Sequence, residues 1–310
     1  MKDSHISRKP KIYSGYKNLP NARASEEITE GCLVLEGGGW RGLYTQGALD
    51  ALMEEGINFR NVIGVSAGAL SAMGYLSGQI GICARVNLKY RHDPKYCGMG
   101  AMIEDGGIMG FTYFFKTIAE SEGFDWDRFF SPERRLLVTA TNLKTGKIEY
   151  FEKGKCNIRK AIKASATVPF MSAPVKIKGV PYLDGGCVEK IPYRYTKEEG
   201  YEKIVVIRTR DRAYRRNEED SAFKSFLRKA AYLPYPEFQK GMAEVNADYN
   251  RCIDEIMADE EAGRVFMLAP LDPVDISKFD GDMEKLGGLY ERGYTEMKDN
   301  IQGLREYLKK

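Results

Sequence analysis

The 310-residue chain has two histidines, His5 and His92, and none after position 92. That rules out a serine triad whose histidine comes late in the chain. Cys32, Cys83, Cys97, Cys156, Cys187 and Cys252 are scattered, with no C-x-x-C pair and no cysteine-histidine cluster. A zinc site is therefore not expected, and the thiols read as reduced and mostly buried. Charge of one sign is also missing: 47 basic against 44 acidic side chains leave a formal +3, too balanced to indicate nucleic-acid binding. The stretch MKDSHISRKPKIYSGYKNLPNARASEE is polar and basic without the apolar core of a secretory signal, so a reducing cytoplasm is expected. Residues 61 to 84 carry no charge, yet Gly, Ala and Ser dominate them and Asn61 and Gln79 are polar. They read as a strand followed by a tightly packed internal helix rather than a membrane span. No repeat, low-complexity segment or dividing linker is visible.

What is present is a globular composition, 43% hydrophobic, and an α/β pattern. Residues 1–30 lack sustained periodicity and read as an extension packed loosely on the body. CLVLEGGG is a buried strand ending at glycines, GLYTQGALDALMEEG a helix closed by Gly56, and NVIGVSAG a second strand and turn leading into a helix to about Ser77. This order starts a parallel sheet with crossover helices. RRLLVTATNLKTGKIEYFEKG predicts two strands joined through KTGK; residues 202–210 and 263–273 supply two more. Residues 218–262 and the C-terminal MEKLGGLYERGYTEMKDNIQGLREYLKK read as helices. One α/β domain results, with 31–210 as its core and 211–310 packed on it.

Gly37, Gly39 and Gly42 in LEGGGWRG satisfy G-x-G-x-x-G, the turn under a dinucleotide pyrophosphate. Such a fold needs an acid after the second strand to hold the ribose. Here stands Gly64-Val65-Ser66-Ala67-Gly68 instead, a G-x-S-x-G in strand-to-helix context. Small neighbours allow the sharp turn that presents the Ser66 hydroxyl. The same spacing also suits simple packing, so context has to decide. Backbone N–H groups of the glycine loop, at the start of a helix, could hold the oxyanion formed when a serine attacks an ester. His92, in the polar turn RHDPK, reads as a surface residue. The remaining base is Asp184 in VPYLDGG, which otherwise would be an ordinary Asp-Gly turn. A carboxylate serves as base only if burial raises its pKa or proton transfer is concerted with attack.

These residues together resemble the patatin-like phospholipases, serine acyl hydrolases with a Ser-Asp dyad. The similarity covers roughly residues 31–210: GGGWRG resembles the family's oxyanion loop, GVSAG its nucleophile motif, DGG its aspartate motif, and ASATVPFMSAPV the proline-containing block before that aspartate. The resemblance implies a three-layer α/β/α fold with a mostly parallel sheet and additional C-terminal helices. It implies Ser66 as nucleophile, Asp184 as general base, Gly37, Gly38 and Gly39 as oxyanion donors supported by Arg41, and Gly64 and Gly68 as the small residues of the turn. It also implies hydrolysis of phospholipid or another acyl-ester lipid through an acyl-enzyme, without metal or other cofactor. Trp40, bulky in a variable position, is expected at the pocket mouth.

Residues 208–238 mix basic, acidic and aromatic side chains. They read either as a peripheral membrane-contacting surface or as a solvated helix whose aromatics face the core. Met99, Met102, Met109, Phe111, Phe114 and Phe115 read either as an acyl pocket or as plain core. The rival function is a non-catalytic lipid-binding or regulatory module on the same fold.

Overall fold

The computed structural model describes residues 11–310; His5 lies outside them. Eight strands build the main sheet: β1 (Thr29–Leu35), β2 (Phe59–Val65), β3 (Arg135–Asn142), β4 (Ile148–Glu152), β5 (Val175–Ile177), β6 (Val180–Asp184), β7 (Ile204–Ile207) and β8 (Val265–Leu268). Their order is β8-β7-β1-β2-β3-β6-β5, with β4 also on β3. The first five in that order are parallel. The pairings of β4, β5 and β6 are antiparallel.

Crossover helices cover both faces, which is why the parallel strands read as unbroken apolar runs. Leu33, Leu35, Val62, Val205 and Ile207 share one core with α1 (Gly42–Glu54), α2 (Ala67–Ser77), α3 (Ile82–Tyr90) and a C-terminal helix, Met283–Lys309. Cys32, Val34, Ile63, Ile204 and Val206 alternate to the other face and pack on Tyr249, Ile253 and Ile256 of a second long helix, Pro236–Glu261. The result is a mixed α/β fold of three layers. Leu35→Ala, at a fully buried position, would cost about 2–5 kcal/mol.

Two features position the site. The chain leaves β1 for β2 on one side, while β7 returns on the other side of β1, so a crevice opens at the C-terminal ends of these strands. The glycine loop, Ser66 and Thr209 all follow strands at that end. Further along, Val65 is the last residue of β2 paired with β3, opposite Thr139. The next β3 residue, Ala140, pairs instead with Asp184 of the incoming antiparallel β6. Because β4 occupies the other edge of β3, β6 takes up the edge that β2 vacates. Ser66 and Asp184, 118 residues apart, thus meet end to end.

The described part of the N-terminal extension differs from the loose packing expected. The Tyr13 hydroxyl donates to Glu291, its ring fills the space a side chain at Gly287 would need, and Ala22–Arg23 pairs with Gln79–Ile80. The sequence periodicity misses this because the contacts are made by single side chains. The β5–β6 hairpin, turned through Lys178 and Gly179 at positive φ, was equally invisible at its three-residue first strand. Among the described residues no helix is long and apolar enough to cross a membrane.

Candidate active site

Ser66 sits between the end of β2 and the start of α2 with φ 55° and ψ −121°, a region that a residue bearing Cβ adopts only when its surroundings enforce it. The enforcement is visible at Gly68, where a Cβ would stand 2.4 Å from the carbonyl oxygen of Leu35, and at Gly64, where it would stand 2.7 Å from the Ala69 nitrogen. Larger residues would push α2 off the sheet. The Ser66 N–H donates to Ser165 Oγ at 2.9 Å, tying the turn to the end of the helix Ile158–Ser165.

The Ser66 hydroxyl donates to Asp184 Oδ2 at 2.6 Å. Asp184 is oriented on every side: Oδ1 accepts from Gly186 N–H at 2.7 Å, its carbonyl from the Thr141 hydroxyl at 2.9 Å, and its N–H donates to Thr167 O at 3.0 Å. Burial pushes its carboxyl above the ordinary carboxylate range, opposed by the hydrogen bonds from Ser66 and Gly186 and by the charges of Lys278 and Lys190. The pair is therefore a hydroxyl facing a carboxylate more basic than a solvated one.

The glycine loop lies beside Ser66. Gly37 N–H donates to Lys190 O at 3.3 Å, so this donor is already engaged and the oxyanion candidates narrow to Gly38 and Gly39. Their N–H groups have no partner among the described residues. Gly39 has φ +59°, and a Cβ there would stand 2.8 Å from Lys278 O. Arg41 is buried, donates to Ile276 O at 3.3 Å, and is pushed down to about 10 by burial. It braces the loop from behind.

Ser66 lines an apolar pocket together with Leu43, Leu70, Met73, Val86, Met109 and Phe114 among others, and Gly39, Trp40, Lys278 and Phe279 also contribute to its wall. Of the methionines and phenylalanines singled out in the sequence, Met109, Phe111 and Phe114 line it. Phe115 stacks on Phe111 with ring centroids 6.5 Å apart. Met99 and Met102 instead face solvent, at 72% and 38% exposure. His92 is exposed and contacts the Gly281 carbonyl at 2.8 Å, in keeping with its reading as a surface residue. Sequence reasoning missed Lys190 and Lys278, which carry no motif and reach the site only through the fold, and it gave no role to Ser165, although Ser165 lies in the ASATVPFMSAPV block.

Residues 33–197, more than half of the chain, match the family model for patatin-like phospholipase. The chain belongs to the patatin-like phospholipase family. Residues 235–309 match a second model, the domain of unknown function DUF6363. YjjU of Escherichia coli K12 is 30% identical over 182 residues, 57% of this chain and 51% of that protein. The lysophospholipase nte1 of Aspergillus terreus is 27% identical over 300 residues, 86% of this chain and 18% of that protein. The probable lipid hydrolase 463L of Invertebrate iridescent virus 6 is 28% identical over 214 residues, 60% and 72% respectively. The chain thus spans about half the length of the first of these and under a fifth of the second.

Proposed function

We propose that the chain is a lipid acyl-ester hydrolase, of the phospholipase or lysophospholipase type, with Ser66 as nucleophile and Asp184 as its base. The observation that carries the reading is the 2.6 Å hydrogen bond from Ser66 Oγ to Asp184 Oδ2 beside an apolar pocket that Ser66 lines. Ser66 Oγ attacks the acyl carbon as its proton passes to Asp184, and the oxyanion is held by the N–H groups of Gly38 and Gly39. The ester C–O bond then breaks, and the departing alkoxide takes the proton from Asp184. Water, deprotonated by Asp184, attacks the acyl-enzyme, and the proton returns to Ser66. No step needs a histidine, a metal or another cofactor. The names of the relatives nte1 and 463L fit this reading.

The same reading includes peripheral contact with membranes in a cytoplasmic setting, with residues 211–310 acting as part of the catalytic domain. Phe223 and Phe226 on the helix Ala222–Ala231 are 69% and 66% exposed, whereas Tyr232 and Phe238 of the same segment are buried in the core, so each of the two readings of residues 208–238 describes part of it. The six free cysteines are compatible with a reducing compartment.

Ser66→Ala and Asp184→Asn are expected to lower turnover of a p-nitrophenyl acyl ester by at least about 10³-fold, in line with loss of a nucleophile or its base, with unchanged circular dichroism. Labelling of the wild type, but not Ser66→Ala, by a fluorophosphonate probe checks the nucleophile directly. Retained turnover in Ser66→Ala would overturn the assignment, and a folded wild type that neither labels nor turns over would leave a lipid-binding module.

A further inference from the structure

The polar end of the cleft carries more positive charge than the Ser66-Asp184 pair uses. Residues 274–281 cross the glycine loop as a strap pinned along its length. Arg210 donates to Val274 O at 2.8 Å, Arg41 to Ile276 O at 3.3 Å, and Arg91 to Phe279 O and Asp280 O at 2.9 and 2.8 Å. The strap sets the backbone of Lys278 against Gly39 and brings its side chain to the wall of the pocket that holds Ser66. Lys278 is exposed at the cleft mouth, yet burial of its ammonium lowers its pKa below the usual lysine range, with Arg216 and Arg41 adding to the shift and Asp184 opposing it.

Two further cations stand close enough to Lys278 to repel it or each other. Lys190 follows the Asp184 turn; its carbonyl accepts the Gly37 N–H and its amine donates to Gly186 O at 2.5 Å, while burial, then the charges of Arg216 and Lys278, lower its pKa to about 7, so that a bound anion would restore its full charge. The Arg216 guanidinium lies 4.8 Å from the Tyr249 ring centroid and 5.8 Å from that of Tyr214. Its Nε is buried without a partner, as are those of Arg41 and Arg210, and Arg41 is only 2% exposed. Mutual repulsion with Arg216 is felt by both Lys190 and Lys278. Among the described residues, none of Lys190, Lys278, Arg216, Arg41 and Arg210 has a carboxylate within ion-pair distance. Elsewhere the chain pairs its arginines: Arg194 meets both Asp248 and Glu255. Two carboxylates act on this group, Asp184 on Lys278 and Lys190 and the buried Glu36 on Arg41, fewer than the five cations.

Grouping partly desolvated cations without matching counter-charge is costly; a ligand that brings negative charge removes the cost. A phosphate beside the scissile ester fits both charge and position, with the acyl chain in the apolar pocket and the headgroup toward the strap. We propose that Lys278, Lys190 and Arg216 form a phosphate subsite that makes the enzyme selective for glycerophospholipid or lysophospholipid over uncharged glyceride. This rests on the reading of Ser66 as nucleophile.

The test compares wild type, Lys278→Gln, Lys278→Arg and Arg216→Gln on two substrates with one acyl chain, lysophosphatidate and monoacylglycerol, below their aggregation limits. The kcat/KM ratio of the first to the second is expected to fall at least tenfold in Lys278→Gln and in Arg216→Gln and to stay within about threefold of wild type in Lys278→Arg, as loss of a charge-assisted contact implies. Inorganic phosphate is expected to slow fluorophosphonate labelling of the wild type and to do so less in Lys278→Gln. Slowing by phosphate with no change in the substrate ratio would identify a free-anion site and overturn the headgroup assignment. Labelling that persists with an unaltered ratio and no phosphate effect rejects the subsite and leaves the nucleophile reading intact. If the wild type neither labels nor turns over, that reading falls. The subsite is then judged alone by the phosphate-induced rise in melting temperature, which must be larger in wild type than in Lys278→Gln; equal shifts reject it.

Discussion

At the scale of single residues, the proposed chemistry turns on the protonation of Asp184. Its carboxyl is held above the ordinary range of about 3.9 for aspartate because burial disfavours the charge more than Ser66, Gly186, Lys278 and Lys190 favour it. In the proposed mechanism only the carboxylate form of Asp184 takes a proton from Ser66. The acid limb of kcat/KM on an uncharged ester is therefore expected above the normal carboxylate range, and it moves to higher pH in Lys278→Gln, which removes one of the charges that favour the anion. A limb at ordinary aspartate pH, or one that moves down in Lys278→Gln, would contradict this environment. The residues of this pair were legible beforehand because each lies in a short motif whose meaning is local: small residues around Ser66, glycines after Asp184. Their meeting is a property of the edge of β3, where β6 replaces β2, and no spacing along the chain encodes it. Lys190 and Lys278 were illegible for the same reason, and Gly37 was read as a donor because a pattern cannot tell that Lys190 O already takes its N–H.

At the scale of elements, the helix Gly42–Glu54 was readable from apolar spacing and the closing Gly56, and the C-terminal segment as helical, but not their contact. Glycines inside both helices look like a propensity cost of about 1 kcal/mol each. In the fold they are where the helices touch. A Cβ at Gly293 would stand 2.0 Å from Tyr44 O and one at Gly47 2.0 Å from Tyr290 O, so Gly293→Ala has to force the two helices apart. Thermal or urea denaturation is expected to show a loss of about 1–3 kcal/mol or more; an unchanged midpoint would mean that the crossing is not close in solution. The same junction buries Asp50, which accepts from Gly81 N–H and the Tyr290 hydroxyl, both at 2.9 Å. Burial raises its pKa to about 7. Since the unfolded value is near 3.9, the folded state binds the extra proton between roughly pH 4 and pH 7. Its contribution to stability is therefore complete below that window and lost as pH rises through it. Asp50→Asn keeps a neutral acceptor at all pH values. Its stability relative to wild type should improve by on the order of 2 kcal/mol between pH 5 and pH 7.5. Taking the difference cancels the other titrating groups, and a pH-independent difference would place the Asp50 carboxylate in a better solvated setting than its 4% exposure suggests.

At the scale of the whole molecule, the side chains that face outward around the pocket form a pattern that packing alone does not require. The helix Met99–Asp105 exposes Met99 and Ile103, at 72% and 81%, and the loop after Val168 exposes Phe170 at 53%. Beyond that loop, the helix Ala222–Ala231 exposes Phe223 and Phe226, and Leu233 follows at 76%. These pieces are joined: Ala173 N–H donates to Gly106 O at 2.8 Å, and Phe170 N–H donates to the Tyr232 hydroxyl at 2.8 Å. Val168 and Ile108, at the inner ends of the joins, line the pocket. An apolar rim around a pocket is exposed to water at a cost, and on the proposed reading of the pocket as an acyl site, seating the rim in a lipid interface would remove that cost. Lys224 and Lys229, exposed on the same helix, would give it attraction to anionic lipid as well, whereas Arg228 is paired with Asp220. Replacing both Phe223 and Phe226 by Ser removes two side chains worth about 1.5–3 kcal/mol each when fully buried. Even partial immersion then predicts at least about a tenfold weaker partition onto vesicles. Sedimentation with vesicles of mixed neutral and anionic lipid measures it, with turnover of a soluble p-nitrophenyl ester as the internal reference for an intact site. The double variant is expected to lose vesicle binding and vesicle hydrolysis together while the soluble reaction persists. Equal losses on both substrates would mean that these phenylalanines support the fold or the pocket rather than the approach to lipid.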